Sequence, residues 1–419
     1  GLYKMSRTIA DLHVHTAYSR ATSKAMTLEG IARAARIKGI DIVGTGDFTH
    51  PAHLAAIKEE LSPIGNGLYK LKTETPKDRP VQFMLTTEVS NIYSTVTDEI
   101  KKTRKIHSLI FAPDIKAAER MSAAFGKIGN IKSDGRPIFG FTAIDLIKIV
   151  LDSSPGAMLI PAHAWTPWFS IFGSKSGFDS IEECFGEYSK YIYAIETGLS
   201  SNPEMNRRIS MLDNITLISN SDAHSPRKLG REANVFKGSP DYFEIMRIIK
   251  ERDRANFLFT IEFHPEEGKY HYDGHRACGV MLTPEETKEA RGICRECGRP
   301  VTVGVANRAA ELSDRATGYV DKRSIPGRAL VPLEEIISEA VGRGVNTKTV
   351  QGEYSRLTDT GVTEFELLLD IEAPELTGIC GARIAEAIVK VRRGELKISP
   401  GYDGEFGKIK IFYEKSPGA

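Results

Sequence analysis

The sequence predicts an α/β chain of repeated βα units followed by two smaller C-terminal domains. Three observations predict it. Between about 8 and 262, β-like apolar runs alternate with amphipathic segments, as βα repeats do. Seven of those runs end on a residue able to hold a metal, and a parallel β/α barrel delivers side chains to one place from the C-terminal ends of its strands. After about 265 the character changes: 266–305 lacks a long helical period and carries three of the five cysteines, 330–394 reads as helical, and 395–414 returns to short β-like runs. Domains are therefore expected at 1–265, 266–328 and 329–419.

Strands are expected at 8–14, 40–45, 82–88, 106–111, 157–162, 191–196 and 215–220. The first helix is capped by Thr27, with Glu29 near its start and Gly39 ending it. Further helices are expected near 95–104, 114–125, 142–152, 203–212 and 240–254. The Gly-rich stretch 126–138 predicts a surface loop, and a second long loop, 164–182, carries Trp165, Trp168, Phe169 and Phe172.

The 419 residues can bury a sizeable core, and 41% hydrophobic with 26% charged residues is an ordinary globular balance. Fifty-six Lys+Arg against 55 Asp+Glu leave no bulk positive field, so any nucleic-acid contact must use local patches. No run of about 18 apolar residues predicts a membrane span. No basic-then-apolar leader opens the chain, which begins on Gly1, and Met5 is the expected native start. Five cysteines in this length do not make a disulfide framework, and cytoplasm is the default location.

The seven run ends are Asp11-Leu12-His13-Val14-His15, Thr45-Gly46-Asp47, Thr87-Glu88, Ile106-His107, Pro161-Ala162-His163, Ile195-Glu196 and Ser221-Asp222-Ala223-His224. Mixed His and carboxylate sets bind divalent metals such as zinc or manganese. Two apart on a strand, His13 and His15 face the same way and can share one ion. Asp222 and His224 repeat that spacing, and Glu88 can bridge two ions.

These motifs resemble those of the polymerase-and-histidinol-phosphatase superfamily. The resemblance implies a distorted seven-stranded β/α barrel with two or three metal ions that hydrolyses phosphoesters, with Asp222, Glu88 and His163 central to catalysis. It implies one ion on His13, His15, Glu88 and Asp222, and a second on Glu88, His107 and His163 with Glu196. A third would use His224 with Asp47 and either His50 or His53. Two positions depart from the pattern: Phe48 stands where many members place His after the second-motif Asp, and Ala21 where a further ligand is often found. Zinc is the expected barrel metal, with Mg²⁺ or Mn²⁺ as the activating ion. Arg20, Lys24 and Arg227 are candidate phosphate contacts.

His275-x-x-Cys278-Gly and Cys294-x-x-Cys297-Gly form two knuckles with the spacing of a zinc ribbon, in which His271 is the alternative nitrogen donor. Cys184 and Cys380 match no ligand spacing and read as core thiols. The stretch from Leu376 to Ile388 resembles a helix-hairpin-helix element. Its Gly378-x-x-Gly381 turn opens a helix able to hold a DNA phosphate, and Lys390, Arg392 and Arg393 follow.

Together, phosphoesterase, ribbon and hairpin resemble a group of DNA-repair nucleases. The likeness includes Gly46-Asp47-Phe48-Thr49-His50-Pro51, His271-Tyr272-Asp273-Gly274-His275-Arg276-Ala277-Cys278-Gly279 and Pro400-Gly401-Tyr402-Asp403-Gly404-Glu405-Phe406-Gly407. It implies cleavage 5′ to deaminated bases (uracil, hypoxanthine, xanthine) and abasic sites, with the base flipped into a pocket. The aromatic residues of 164–182 are the candidate pocket walls or wedge, against the bland reading of a packed lid. The expected partner is DNA bearing such lesions. The sliding clamp is a further expected partner, although no clear clamp-binding peptide is present. The alternatives are a small-molecule phosphatase of histidinol-phosphatase type, a DNA-binding adaptor and a proofreading exonuclease.

Overall fold

The computed structural model describes residues 6–413 apart from Asp98. Met5, the expected native start, and the tail 414–419 lie outside the described residues. In chain order the first part forms β1 (Arg7–Asp11), α1 (Leu28–Lys38), β2 (Ile42–Gly44), α2 (Pro51–Glu60), β3 (Leu61–Gly65), β4 (Leu68–Leu71), β5 (Gln82–Thr97) and β6 (Ile100–Ala112). It continues with α3 (Ile115–Ile128), β7 (Ile138–Phe139), α4 (Ala143–Ser153), β8 (Met158–Pro161), α5 (Ile181–Phe185), β9 (Ala194–Glu196), α6 (Pro203–Arg207) and β10 (Thr216–Ile218). β11 (Ala233–Lys237), α7 (Tyr242–Glu251) and β12 (Phe257–Glu262) complete it.

The sheet is mixed rather than uniformly parallel. β1, β2 and β5 run parallel, β5 pairs β6 antiparallel, and β6 pairs β8 antiparallel. β9 and β10 form a parallel pair, joined towards β8 by Ala164 N donating to Glu196 O at 2.9 Å. A bridge between Val14 and Ala223, with His15 N donating to Ala223 O at 2.9 Å, then brings the chain after β10 back beside β1. The motifs at 13–15, 47, 163 and 222–224 follow the ends of β1, β2, β8 and β10, Glu196 ends β9, and Glu88 and His107 lie within β5 and β6, whose hairpin runs on past them.

Local chemistry sets the first helix as expected: Thr27 accepts from Gly30 N at 3.1 Å, and Gly39 ends it at φ 86, a left-handed turn that suits glycine. The helix expected near 95–104 is instead the far end of the long β5–β6 hairpin. The β-branched Thr95, Val96, Ile100 and Thr103 favour extended chain, and continuous cross-strand pairing from Leu85–Ala112 to Thr97–Ile100 overrides any helical tendency. The helix expected over 203–212 stops at Arg207, and a short 3₁₀ turn follows over Ser210–Leu212. Sequence reading missed α2, the β3–β4 hairpin and the antiparallel pair β11–β12 that flanks β1.

The second part forms β13 (Asp273–His275), β14 (Val280–Leu282), α8 (Pro284–Glu289), α9 (Val305–Leu312) and β15 (Gly327–Ala329). α10 (Leu333–Val341), α11 (Lys348–Thr358), α12 (Ala373–Arg393), β16 (Lys397–Ser399) and β17 (Lys408–Lys410) follow. β15 adds itself parallel to β12, so the chain beyond 266 returns to the main sheet. No helix among the described residues is long and apolar enough to cross a membrane.

Candidate metal centre

Glu88 and His107 lie within the long strands β5 and β6, and the other site residues lie at or just beyond the ends of the short strands β1, β2, β8, β9 and β10. Beyond the ends of β2, β8 and β10 the backbone turns sharply, and Asp47, His163 and Asp222 all hold positive φ (47, 27 and 50). Non-glycine residues adopt that region at a cost, and such strain collects at functional positions.

Two groups of ligand atoms result. His13, His15, Glu88 and Asp222 place one donor each within 4.8 Å of one another, and Glu88, His107 and His163 do the same. Glu88 belongs to both through different oxygens. Its Oε2 lies 2.9 Å from His15 Nε2 and 3.4 Å from His13 Nε2, and its Oε1 lies 2.8 Å from His107 Nδ1 and 3.1 Å from His163 Nε2. His13 Nε2, His15 Nε2 and Asp222 Oδ1 are buried with no hydrogen-bond partner. Buried orphan donors converging on one point fit a divalent ion.

The charges are arranged to match. Burial disfavours a charged His13, yet Glu196, Asp222 and Glu88 hold its pKa well above the usual imidazole value. His15 is raised in the same way, against burial, by Asp222, Asp47 and Glu88. Glu88 is held well below the carboxylate range, despite burial, by His107, Arg136 and His13. Burial takes His107 down to about 4.

Glu196 and Asp47, expected as ligands, stand outside both groups, behind the ligands. Both Glu196 oxygens lie 3.0 Å from His13 Nδ1, and Oε1 also accepts from His163 N at 2.9 Å. Asp47 Oδ1 lies 3.1 Å from His15 Nδ1, while Oδ2 accepts from Thr16 N, Thr16 Oγ1 and Ser19 Oγ. Carboxylates placed so fix the tautomer and aim of a ligating imidazole. The other residues of the expected third site are engaged elsewhere. His50 caps α2 and bonds Lys132 O at 3.0 Å, and His53 bonds Thr45 O at 3.1 Å. His224 lies against His15 with its Nδ1 2.9 Å from Asp222 O. The structure does not bring Asp47, His50, His53 and His224 together as a ligand group.

Arg136 is the site residue that sequence reading missed. The loop 129–137 sets its Nη1 3.2 Å from Glu88 Oε2. Gly135 makes this possible, because a Cβ there would meet Asp47 Oδ2 and Ser19 Oγ at 2.4 Å. A Gly-Arg-Pro triplet inside an otherwise plain surface loop was the available signal.

The aromatic loop divides in two. Trp165 (1% exposed) and Phe172 are buried against each other, and Trp165 Nε1 donates to Asn206 Oδ1 at 2.8 Å. Both are core residues, which removes them as accessible pocket walls. Trp168 is 48% exposed with Lys105 Nζ 4.6 Å over its ring, and Phe169 lies 4.6 Å from the His107 ring. Phe169 therefore borders the site, and Trp168 stands next to it with its ring in solvent.

Among the candidate phosphate contacts, Arg20 and Lys24 are exposed. Arg20 lies 3.4 Å from Asp134. Arg227 is tied to Glu334 and Asn346. Arg392 donates to Leu367 O, Leu368 O and Ile371 O, so it packs helix ends together and is not free for phosphate. Gly378 and Gly381 are exposed, and Gly381 breaks α12 at φ 78. Lys390 lies near Glu386 and the Phe412 ring, and Arg393 near Glu395.

His275, Cys278, Cys294 and Cys297 gather within 4.8 Å, as the knuckle spacing predicts. His271 stands outside that group, with its Nδ1 buried and unpartnered. Cys294 is pulled down to about 7, against the burial that raises it, by backbone amides of Cys297 and Glu296, which suits a thiolate donor.

The chain resembles known proteins along nearly its whole length. It is 30% identical over 418 residues to YqxK of Bacillus subtilis, a protein of uncharacterised function, covering 97% of this chain and 100% of that one. It is 34% identical over 260 residues to MJ0043 of Methanocaldococcus jannaschii, covering 60% of this chain and 32% of that one. Residues 332–395 match the MJ0043 C-terminal domain family. Among solved structures, the lesion-specific endonuclease PfuEndoQ of Pyrococcus furiosus superposes with TM-score 0.83 and 29% identity, covering 96% of this chain and 95% of that one. Endonuclease Q in complex with a 27-mer duplex bearing an abasic lesion at the active site gives TM-score 0.81 and 30% identity, covering 96% of each chain.

Proposed function

This chain belongs to the endonuclease Q family, and from that premise we propose that it is a metal-dependent DNA-repair endonuclease. In this reading it hydrolyses the phosphodiester 5′ to a deaminated base or an abasic site. The observation that carries the reading is Glu88 offering one oxygen to each of two donor groups, in a fold whose structural neighbour holds lesion DNA at its active site. The ring of β1, β2, β5, β6, β8, β9 and β10 is read as the distorted seven-stranded barrel of the superfamily.

Divalent ions on His13, His15, Glu88 and Asp222 and on Glu88, His107 and His163 would supply charge neutralisation and an acidified water. The chain's own residues do the rest. Glu196 and Asp47 keep the Nε2 lone pairs of His13 and His15 aimed inward. Arg136, partly exposed beside Glu88, is placed to donate to a non-bridging phosphate oxygen, where a guanidinium favours developing negative charge. Phe169 beside His107, and the exposed ring of the neighbouring Trp168, supply aromatic faces on which a base drawn out of the duplex can stack. His275, Cys278, Cys294 and Cys297 would hold a structural zinc.

The test is end-labelled duplex DNA carrying a single uracil or abasic site, incubated with Mg²⁺ or Mn²⁺. One cut immediately 5′ of the lesion supports the reading. A ladder from the end indicates an exonuclease. No product, together with phosphate release from histidinol phosphate, would overturn the reading in favour of a small-molecule phosphatase.

A further inference from the structure

Asp11 opens the first of the metal-capable motifs yet belongs to neither donor group. It closes β1, is fully buried, and turns its carboxylate to the loop that follows β10. Its Oδ1 accepts from Ser221 N at 3.0 Å and its Oδ2 from Gly230 N at 2.8 Å. One side chain thus clips together the two ends of the loop 221–230, which carries Asp222 and His224. Each bond joins a charged acceptor to a backbone amide away from water, which is the strong kind of hydrogen bond.

The clip acts where the backbone needs holding. Asp222 sits at φ 50, a region that costs a non-glycine residue energy and persists only when its surroundings enforce it. The peptide before Asp222 is fixed at the Ser221 carbonyl, which accepts from Nε of the half-buried Arg231 at 3.0 Å. The stretch after it is fixed by His15 N donating to Ala223 O at 2.9 Å and Ser23 N to His224 O at 2.8 Å. Asp11 supplies the remaining hold, on the Ser221 amide. Farther along, the loop is tied to α10 by Arg227 Nε donating to Glu334 Oε2 at 2.9 Å. Held this way, Asp222 Oδ1 lies 3.1 Å from His15 Nε2 and 3.5 Å from His13 Nε2, buried and without a hydrogen-bond partner.

The place requires a carboxylate. Two backbone donors meet two acceptor oxygens, whereas the isosteric amide of Asp11→Asn would set its own NH₂ against one of those N–H groups and leave a buried donor without a partner. We propose that Asp11 is a positioning residue of the metal centre: by clipping Ser221 to Gly230 it holds Asp222 in the left-handed turn that aims its carboxylate at His13 and His15. Arg231 holds the same peptide from the other side. Asp11 itself touches neither metal nor substrate. The proposal rests on the reading that Asp222 is a metal ligand.

The experiment titrates cobalt(II) into the full chain after dialysis against chelator and follows its visible absorption. Cobalt entering the zinc ribbon announces itself by an intense thiolate charge-transfer band, which the His and carboxylate donors of the Glu88 groups cannot give, so the two kinds of site are read separately. Asp11→Asn should weaken cobalt binding at the Glu88 groups by ~10–100-fold and alter their absorption, with the ribbon unchanged. Asp41→Asn is the matched control, because Asp41 also accepts from a β1 amide, Ile9 N at 2.8 Å, and takes no part in either donor group. It should load as the wild type does. In an Asp222→Asn background, adding Asp11→Asn should lower affinity no further, since its effect runs through that ligand. Arg231→Gln should reproduce the loss in milder form, and it carries the test should Asp11→Asn fail to fold. Wild-type loading in Asp11→Asn and Arg231→Gln overturns the proposal alone, as does an equal loss in Asp41→Asn or a full further loss on top of Asp222→Asn. A wild type that takes up cobalt only at the ribbon overturns the metal-centre reading itself, and the proposal with it.

Discussion

Both carboxylate oxygens of Glu196 lie 3.0 Å from Nδ1 of His13, on the opposite edge of the ring from the Nε2 that faces Glu88 and Asp222. That pairing holds the proton on Nδ1 and leaves Nε2 a lone pair for a metal. Glu196→Gln keeps the shape and removes the charge. The expected result is a ~10–100-fold loss of affinity at the Glu88 sites, with the ribbon metal retained. Metal titration followed by elemental analysis of the dialysed variant checks it, and unchanged affinity would show that Glu196 does not position His13.

Arg136 approaches Glu88 from a loop, so its removal should leave the two donor groups intact. Arg136→Ala is expected to lower the single-turnover cleavage rate by ~10²–10³-fold while changing the Kd for lesion DNA much less. Arg136→Lys should restore only part of the rate, since an ammonium lacks the planar fork of donors. Equal losses in rate and binding would mean that the guanidinium serves binding alone.

Much of this centre was legible because its chemistry is written beside apolar runs: His13, His15, Glu88, His163 and Asp222 follow such runs and His107 opens one, although β5 and β6 continue past Glu88 and His107, and the fold brings the six together. What could not be read was rank within the site. A carboxylate that ligates and one that stands behind a histidine follow an apolar run in the same way, so Glu196 and Asp47 looked like ligands. Arg136 was invisible for a different reason. Its position depends on Gly135 fitting against Asp47, a contact between residues 88 apart. In the aromatic loop, composition alone could not separate Trp165, which finds Asn206, from Trp168, which faces outward. The hairpin at 95–104 was misread because its cross-strand partner, and not its local periodicity, decides its form.

That division of the loop gives a paired prediction. Trp165→Ala empties a buried site and should cost ~3–5 kcal/mol of stability, seen as a lower thermal midpoint. Trp168→Ala should leave the midpoint unchanged and weaken lesion DNA by about 1–3 kcal/mol through lost stacking. If Trp168→Ala cleaves uracil-containing duplex as the wild type does, its ring takes no part in holding the base.

Glu262 yields a pH prediction. It is fully buried, accepts from Thr197 Oγ1 and Thr260 Oγ1, and burial pushes its pKa up to about 8. In an unfolded chain the value is about 4.3. The folded state thus binds this proton more tightly, so the stability linked to it is full below about 4.3 and is lost as pH rises through about 8. Wild-type melting should fall over this range more steeply than that of Glu262→Gln, which cannot ionise. Parallel melting curves for the two would contradict the assignment.

Glu88 joins the two donor groups, and cleavage by Glu88→Gln tests the centre most directly. An end-labelled duplex with one abasic site, the wild type and the variant are compared under single-turnover conditions with Mn²⁺, alongside metal content. The wild type should give one cut 5′ of the lesion. The variant should lose at least ~10³-fold in rate and its metal at the Glu88 sites, while still binding the duplex within about threefold. Cleavage by Glu88→Gln at the wild-type rate, or full retention of metal at both groups, would contradict a centre bridged by Glu88.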